Sequence, residues 1–415
     1  MVRLTLISDD LTGAFDATVP FVGAGVDVVT SLQTTATLTE ALAGKATVVA
    51  ANADSRHLTA FAAFMRVTSA VEVARAAGCT VILKKTDSVL RGNVGAELSA
   101  LWQATGGKSV HFVPAWPSMG RTTKGGTHYV NGTPVSQSPF GHDPFEAVVT
   151  SGVRDLLHQQ CDVPIIVVGE DAPAPLGFEG VVVYDATTEE ALERRVRELW
   201  QAHEQATDGQ DVLALAGCAG LTRALAAVCG VPQAPANVAA SHEGGLLAFC
   251  GSVNAVTVAQ CAKAAAAGAA SFRVTEDQKV SDGWTSSPEC EALCADVVAA
   301  WDANDLTVLD ATDFTADVPA DVIVEHRAII SRNLGQLAAA IVRAHPTGRM
   351  LTTGGDVLLS LLDALGCERV RLLGEAECGV VATEVEVDDG NLCVFTKSGG
   401  FGSEDLFVRL AQPAR

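Results

Sequence analysis

The chain has 415 residues, 48% hydrophobic and 19% charged, which fits a globular protein with a large core and predicts roughly two or three domains. Its 28 Lys and Arg face 49 Asp and Glu, a formal net charge of −21. So acidic a surface excludes nucleic acid or an anionic membrane as a partner, because both need a basic face, but it leaves room for a nucleotide in a local pocket of donors.

The 11 cysteines form no CxxC pair, and Cys290 with Cys294 lacks a second pair to complete a metal site. Met1-Val2-Arg3-Leu4-Thr5 contains no apolar signal segment, and no run approaches the ~18 apolar residues of a membrane span. The expectation is a reduced, cytoplasmic enzyme with mostly buried thiols.

The first apolar run, residues 4–7, has strand length and leads into Ser8-Asp9-Asp10-Leu11-Thr12-Gly13-Ala14-Phe15-Asp16, with a helix predicted over 14–22. Two neighbouring carboxylates at the carboxyl end of a strand lie where open α/β sheets bind ligands. Such a pair suits Mg²⁺ or a substrate hydroxyl. The plainer role is a helix N-cap, which Asp fills well; one cap needs neither two acids nor a glycine.

Further strands are predicted at 26–31, 46–51, 80–84, 110–114, 165–168, 181–184 and 212–215, alternating with helices such as 59–77, 189–205 and 221–228. This alternation predicts an α/β fold with a mostly parallel sheet. A Pro/Ala/Gly patch at 230–237 reads as a linker and places a boundary within 231–243, giving domains at 1–235 and 236–415. Beyond it, strands are predicted at 246–250, 271–274, 307–309, 322–324, 350–353, 380–387 and 392–396, and helices at 255–267, 289–301 and 328–344.

Polar clusters recur at predicted strand ends in the front half. Asn52-Ala53-Asp54-Ser55-Arg56 ends one strand, and Lys84 to Gly95 leaves another with Lys85, Asp87, Ser88, Arg91 and Asn93. Arginine offers a planar fork for a carboxylate or phosphate, and Asp and Ser order hydroxyls. A third segment runs from Pro114 through Gly120-Arg121-Thr122-Thr123 to His128. Its prolines and glycines argue against regular structure at its start, while 129–135 reads as a hairpin with Asn131-Gly132 in a type I′ turn. Solvated loops with surface Asp–Arg pairs are the plainer reading of each cluster. Their coincidence points instead to one site for a polyhydroxy acid.

Three Gly/Ser-rich strand–turn–helix junctions mark the rear half: Gly251-Ser252-Val253-Asn254, Thr353-Gly354-Gly355-Asp356, and Lys397-Ser398-Gly399-Gly400-Phe401-Gly402. Such turns expose amide N–H groups to phosphates. None follows the Walker A order, and Asp356 and Ser403 double as helix caps.

These motifs together resemble the four-carbon acid sugar kinases. Asp9-Asp10-Leu11-Thr12-Gly13-Ala14 is similar to that family's DDLTGA signature, and Lys85-Thr86-Asp87-Ser88-Val89-Leu90-Arg91-Gly92-Asn93 to its K-x-DS-x-LRGN stretch. Gly120-Arg121-Thr122-Thr123 with Asn131-Gly132, the Gly354-Gly355-Asp356 turn and the 397–402 turn follow in family order. The family usually carries a Gly-Ser-Cys-Ser-like turn where this chain has Gly251-Ser252-Val253-Asn254.

The resemblance implies a sugar-binding front domain, a nucleotide-binding rear domain and an active site in the cleft between them. It implies transfer of the ATP γ-phosphoryl group, with Mg²⁺, to the terminal hydroxyl of threonate, erythronate or 3-oxo-tetronate. Asp10, then Asp87, is expected to orient or deprotonate the hydroxyl. Asp9, Arg56, Lys85, Ser88, Arg91, Arg121 and Thr122 are expected to bind the acid. Ser252, Thr353, Gly354, Gly355, Asp356, Ser398, Gly399 and Gly400 are expected to hold the nucleotide, while the metal ligands stay unassigned. A homodimer is compatible with this reading. A Mg²⁺-dependent sugar-phosphate phosphohydrolase and a non-catalytic sugar-acid or nucleotide sensor are the alternatives.

Overall fold

The structure is a computed structural model that describes residues 4–30, 35–143, 146–206, 211–232, 244–313, 320–388 and 390–412. The chain divides into two compact units, Met1–Gln233 and Ala234–Arg415. Most of the predicted linker lies outside the described residues.

The front unit runs β1 (Leu4–Ser8), α1 (Leu11–Thr18), β2 (Val26–Val29), α2 (Ala36–Ala43), β3 (Val48–Asn52), α3 (Ala60–Ala76), β4 (Val81–Lys85), α4 (Val94–Ala104), β5 (Val110–Val113), β6 (Arg121–Lys124), β7 (Thr127–Val130), β8 (Thr133–Pro134), α5 (Val153–His158), β9 (Ile165–Val168), β10 (Val181–Tyr184), α6 (Glu189–Gln205), β11 (Leu213–Gly217) and α7 (Ala219–Val228). Its main sheet has the order β2-β3-β1-β4-β11-β5-β10-β9, and every neighbouring pair is parallel. A parallel sheet is covered on both faces, so its strands read as continuous apolar runs. β1, β3 and β4 are buried along their whole length. From β1 the chain moves outward to β2 and β3, then reappears on the other flank at β4. β1 is therefore a topological switch point, and a crevice opens beyond its carboxyl end.

Two details depart from expectation and one, the 129–135 hairpin, agrees with it. The helix predicted over 14–22 begins earlier, at Leu11, and gives way to a 3₁₀ turn, Val19–Ala24, where Pro20 removes a backbone donor. Residues 121–124 form a strand, since Pro117 disrupts only a single 3₁₀ turn, Pro117–Met119. That strand turns through Gly125-Gly126, at φ 58° and 72°, onto β7. The Asn131-Gly132 turn between β7 and β8 has φ 49° and 80°, the positive angles of a type I′ hairpin.

The rear unit runs β12 (Leu246–Cys250), α8 (Ala255–Ala266), β13 (Ala270–Arg273), α9 (Glu276–Val280), α10 (Pro288–Ala303), β14 (Leu306–Asp310), α11 (Ala320–Ala344), β15 (Arg349–Thr353), α12 (Gly355–Leu365), β16 (Arg369–Glu377), β17 (Val380–Val387), β18 (Gly390–Lys397) and α13 (Leu406–Ala411). The sheet order is β13-β14-β12-β15-β18-β17-β16, parallel through β18 and antiparallel beyond it. Residues 322–324, expected as a strand, belong to the long helix α11, which packs on α12. Three residues of β propensity do not outweigh a helix that buries a full face. Residues 369–377, not anticipated as a strand, alternate exposed and buried at their start, as one on the antiparallel flank should.

Candidate active site

In the front sheet, Ser8 lies level with Asn52 of β3 and Lys85 of β4, and Lys85 with Gly217 of β11. The turns leaving β1, β3 and β4 therefore start from one row, and their side chains converge. Arg56 donates from Nε to Asp9 Oδ2 at 2.7 Å, reaches Asp10 Oδ1 with Nη2 at 2.7 Å, and lies 3.8 Å from Asp87 Oδ1. Arg91 forks onto Asp87, from Nε to Oδ2 at 3.0 Å and from Nη2 to Oδ1 at 2.9 Å, and its Nη1 reaches Asp143 Oδ2 at 3.4 Å. Asp87 Oδ2 also accepts from the amides of Val89 and Arg91, both at 3.2 Å. Leu90 holds a left-handed conformation, φ 69°, to close this turn.

The two acids after β1 divide their work. Asp10 caps α1: Oδ1 accepts from the Gly13 amide at 3.1 Å, and Oδ2 from Thr12 Oγ1 at 2.8 Å. Asp9 is more deeply buried. Burial opposes its ionisation, but Arg56, Lys85 and Lys84 prevail and hold it at about 2. Burial likewise opposes the charge on Asp87, and Arg91 with Arg56 holds that carboxyl well below the usual range. Lys85, although desolvated, stays charged because Asp9 and Asp10 face it.

Beneath this cluster the buried Lys84 pairs with Glu97 at 2.9 Å, and Ser55 donates to the other Glu97 oxygen. Asn93 stands at the N-cap of α4, yet its amide is spent elsewhere, donating to Ser55 O at 2.9 Å and Leu58 O at 2.8 Å. The two Arg-bearing turns are thereby tied together. Glu97 and Asp143 carry no mark in the sequence, and Lys84 stands there only as a member of the 84–95 stretch, because nothing local shows that a strand lysine and a helix glutamate are paired.

Several groups stand ready for a ligand. Arg121 donates from Nη1 to Met119 O, its Nε is buried without a partner, and no carboxylate pairs with it among the described residues. Lys85 is buried, and its ammonium has no direct hydrogen-bond partner among the described residues. Ser8 Oγ, Asp9 Oδ1 and Thr86 Oγ1 are also buried, with no hydrogen-bond partner among the described residues. Buried polar atoms are normally satisfied, so such a concentration in one crevice calls for an occupant. Ser88 contributes its carbonyl, which accepts from His128 at 3.0 Å. Thr122 lies beside Arg121 on β6, with no side-chain hydrogen bond among the described residues.

The rear unit repeats the arrangement with backbone in place of charge. Cys250, Thr353 and Lys397 form one row across β12, β15 and β18, and the three Gly-rich turns leave from it. The Ser252 amide donates to Thr353 Oγ1 at 3.3 Å, and Ser252 Oγ accepts from the Asn254 amide at 3.3 Å. A Cβ on Gly399 would lie 2.0 Å from Ser252 Oγ, so only glycine lets these turns touch. Lys397 is no open phosphate ligand. Its Nζ lies under its own turn and donates to Ser398 O at 3.2 Å, Gly399 O at 3.1 Å and Thr257 Oγ1 at 3.3 Å. Burial pushes its ammonium down to about 8. Thr257 donates to Gly399 O at 2.9 Å, while Gln260 donates to Phe401 O at 3.1 Å and Ser403 O at 2.9 Å.

With those carbonyls held, the Gly399 and Gly400 amides are left without a protein acceptor among the described residues. They join the amides of Gly355 and Val357 in the first turn of α12, which likewise have no acceptor among the described residues; the helix starts at Gly355 behind Gly354 at φ 99°. Asp356 is not the cap: it sits in the first turn, paired with Arg327 at 2.7 Å. Ser403 does not cap α13 either; that helix begins at Leu406 behind Asp405, and Ser403 Oγ accepts from Arg409 at 2.7 Å. Among the described residues, no group of three or more His, Cys, Asp or Glu side chains converges to hold a metal, and no helix is long and apolar enough to cross a membrane.

Residues 4–225 match the family model described as a sugar-binding N-terminal domain, and residues 247–407 the one described as a nucleotide-binding C-terminal domain. The chain is 32% identical to the D-threonate kinase of Bordetella bronchiseptica, covering 99% of this chain and 97% of that protein. It is 28% identical to the D-erythronate kinase of Heliobacterium modesticaldum, over 90% of this chain and 88% of that protein. A crystal structure of a Salmonella typhimurium LT2 protein shares the fold, with a TM-score of 0.77 at 21% identity over 99% of this chain and 98% of that one. With both domains matched in order and a curated kinase aligned along nearly its whole length, the chain belongs to the four-carbon acid sugar kinase family.

Proposed function

We propose that this chain transfers the γ-phosphoryl group of ATP to the 4-hydroxyl of a four-carbon sugar acid, with D-threonate as the first acid to try. The relatives support the acid class; the choice of D-threonate rests on the D-threonate kinases of Bordetella bronchiseptica and Cupriavidus necator, 32% and 31% identical to this chain. The observation that carries the reading is the division of labour among the front-half cations. Arg56 and Arg91 are consumed by Asp9, Asp10 and Asp87, whereas Arg121 and Lys85 have no carboxylate hydrogen-bonded to them among the described residues. A substrate carboxylate supplies what those two lack.

Asp10 is the best-placed group to orient and accept the proton of the attacking hydroxyl. Its side chain is 18% exposed, against 3% for Asp9 and 8% for Asp87. The Asp10 and Asp87 carboxylates both accept hydrogen bonds on each oxygen, but Asp87 is the less exposed and is gripped by the two-pronged Arg91 fork as well as two amides, so it serves to hold Arg91. In the rear half, the amides of Gly355, Gly399 and Gly400 with Ser252 would cradle the phosphates. Mg²⁺ dehydrates reluctantly and is commonly held by one or two carboxylates plus phosphate oxygens, so a site without a protein cage fits it. Asp310, level with Cys250 in the turn-bearing row and with Oδ1 taken by the Thr312 amide at 2.9 Å, is the carboxylate that would hold it. Held there, the ion would supply neutralisation of the phosphate charge. Phosphoryl transfer is otherwise a matter of positioning, with reacting atoms ~3–3.5 Å apart, so the proposal requires both halves to serve one reaction.

The test is a coupled ADP-release assay with D-threonate, D-erythronate, L-threonate and 3-oxo-tetronate, beside phosphate release from sugar phosphates without ATP. ADP formation that depends on one acid is the expected result. Phosphate release from a sugar phosphate alone would indicate a hydrolase, and neither signal would indicate a sensor.

A further inference from the structure

His128 lies in the middle of β7, fully buried and level with Thr123 on β6. Its ring bridges two elements. Nε2 is 3.0 Å from Ser88 O, and Nδ1 is 3.1 Å from Thr123 Oγ1. A carbonyl oxygen only accepts, so Nε2 carries the hydrogen, and Nδ1 accepts from the Thr123 hydroxyl. Both nitrogens are spent, and burial lowers the ring to about 4, so it stays neutral. Such an imidazole has no proton to exchange with a substrate.

It ties the β6–β7 hairpin to the turn that carries Asp87 and Arg91. The hairpin is held a second time at its tip, where the Gly125 and Gly126 amides donate to the Asp185 carboxylate at 2.7 and 2.9 Å. Thr123 also exchanges two backbone hydrogen bonds with Ala186, both 3.0 Å. Arg121 is two residues before Thr123, on the same face of β6. Asp87 and Arg91 lie within electrostatic reach of its guanidinium.

We propose that His128 is a positioning residue for acid binding: it holds the hairpin against the 87–91 turn so that the guanidinium of Arg121 faces the crevice. This rests on the reading that Arg121 receives the substrate carboxylate.

The experiment is steady-state kinetics on the full chain, with the acid that gives ADP in the assay above. His128→Ala should raise KM for the acid ~10- to 100-fold, the scale of an ångström-level misplacement, and leave KM for ATP within ~3-fold. His128→Gln, whose side-chain amide can donate to Ser88 O, should recover most of the loss. Thr123→Val should raise acid KM on its own and add little to His128→Ala, because the two residues share one strut. If His128→Ala does not fold, Thr123→Val carries the test, and an unchanged acid KM there overturns the proposal. A shifted pH–rate profile with unchanged acid KM in His128→Ala would assign the ring to chemistry and also overturn it. Arg121→Ala separates the two readings. If acid KM is unchanged there, the Arg121 assignment fails; if it rises there but not in His128→Ala, only the positioning role fails.

Discussion

Replacing Gly13 by alanine separates stability from catalysis. Gly13 sits in the first turn of α1, where an added Cβ would stand 2.3 Å from Asp10 Oδ1, 2.8 Å from Lys85 Nζ and 3.1 Å from Ser8 Oγ. Ordinary contact begins at 3.4 Å, so the Asp10 oxygen must retreat by about 1 Å, and the Lys85 ammonium by somewhat less. The helix itself gains: glycine to alanine in a helix is worth about 1 kcal/mol. Loss of the Asp10 cap bond costs about as much. The two nearly cancel, and Tm should stay within about 4 °C. Catalysis has no such offset. A carboxylate displaced by an ångström from a reacting hydroxyl should lower kcat/KM about 100-fold. Differential scanning calorimetry and the ADP-release assay on the same preparation measure both quantities. A Gly13→Ala variant with kcat/KM within about threefold of wild type would refute the assignment of Asp10, because the chemistry would then be indifferent to where that oxygen lies.

Asp10→Asn keeps a good N-cap and removes the proton acceptor, so turnover should fall by at least ~10²-fold while titration with a fluorescent ATP analogue is unchanged; normal turnover would exclude Asp10 from the mechanism. Lys397→Met withdraws three hydrogen bonds from beneath the 397–402 turn, so KM for ATP should rise about tenfold with KM for the acid unaltered. Equal changes in both would show general loosening instead. Acid stability follows from Asp9, whose carboxyl is held at about 2 in the folded chain although burial opposes its charge. A depressed pKa contributes stability above the unfolded value near 3.8, and that contribution is lost as pH falls from about 4 toward 2, up to about 2 kcal/mol. The urea midpoint should drop over that interval, and a flat midpoint would contradict the burial and pairing of this carboxylate.

The sequence marked the turns better than it marked their use. Asp9 and Asp10, Arg56, and Asp87 with Arg91 stand out because charged groups follow apolar runs directly, and a parallel α/β fold places such positions on one edge. Which arginine meets which acid depends on register, and no local pattern encodes the row shared by Ser8, Asn52 and Lys85. Arg56 and Arg91 consequently read as free substrate clamps, when each is bound to a carboxylate of the protein. Likewise, only folding shows that the ammonium of Lys397 points under the 397–402 turn. Misread elements share a physical cause as well. Residues 322–324 look like a strand in isolation, and the length of α11 that overrides them lies outside any short window. The strand at 121–124 hides behind Pro117, whose effect ends within a few residues.

A grip built from main-chain amides has a consequence for how the rear half can vary. If the amides of Gly355, Gly399 and Gly400 hold the phosphates as proposed, the Val253 that interrupts the family's usual residues in the 251–254 turn removes none of those donors. Only a change in the path of the chain can do that, and glycine positions such as Gly399 set the path. On the proposed reading, divergence in this half should concentrate in what surrounds the base and ribose, with the phosphate end inherited almost as a fixed part.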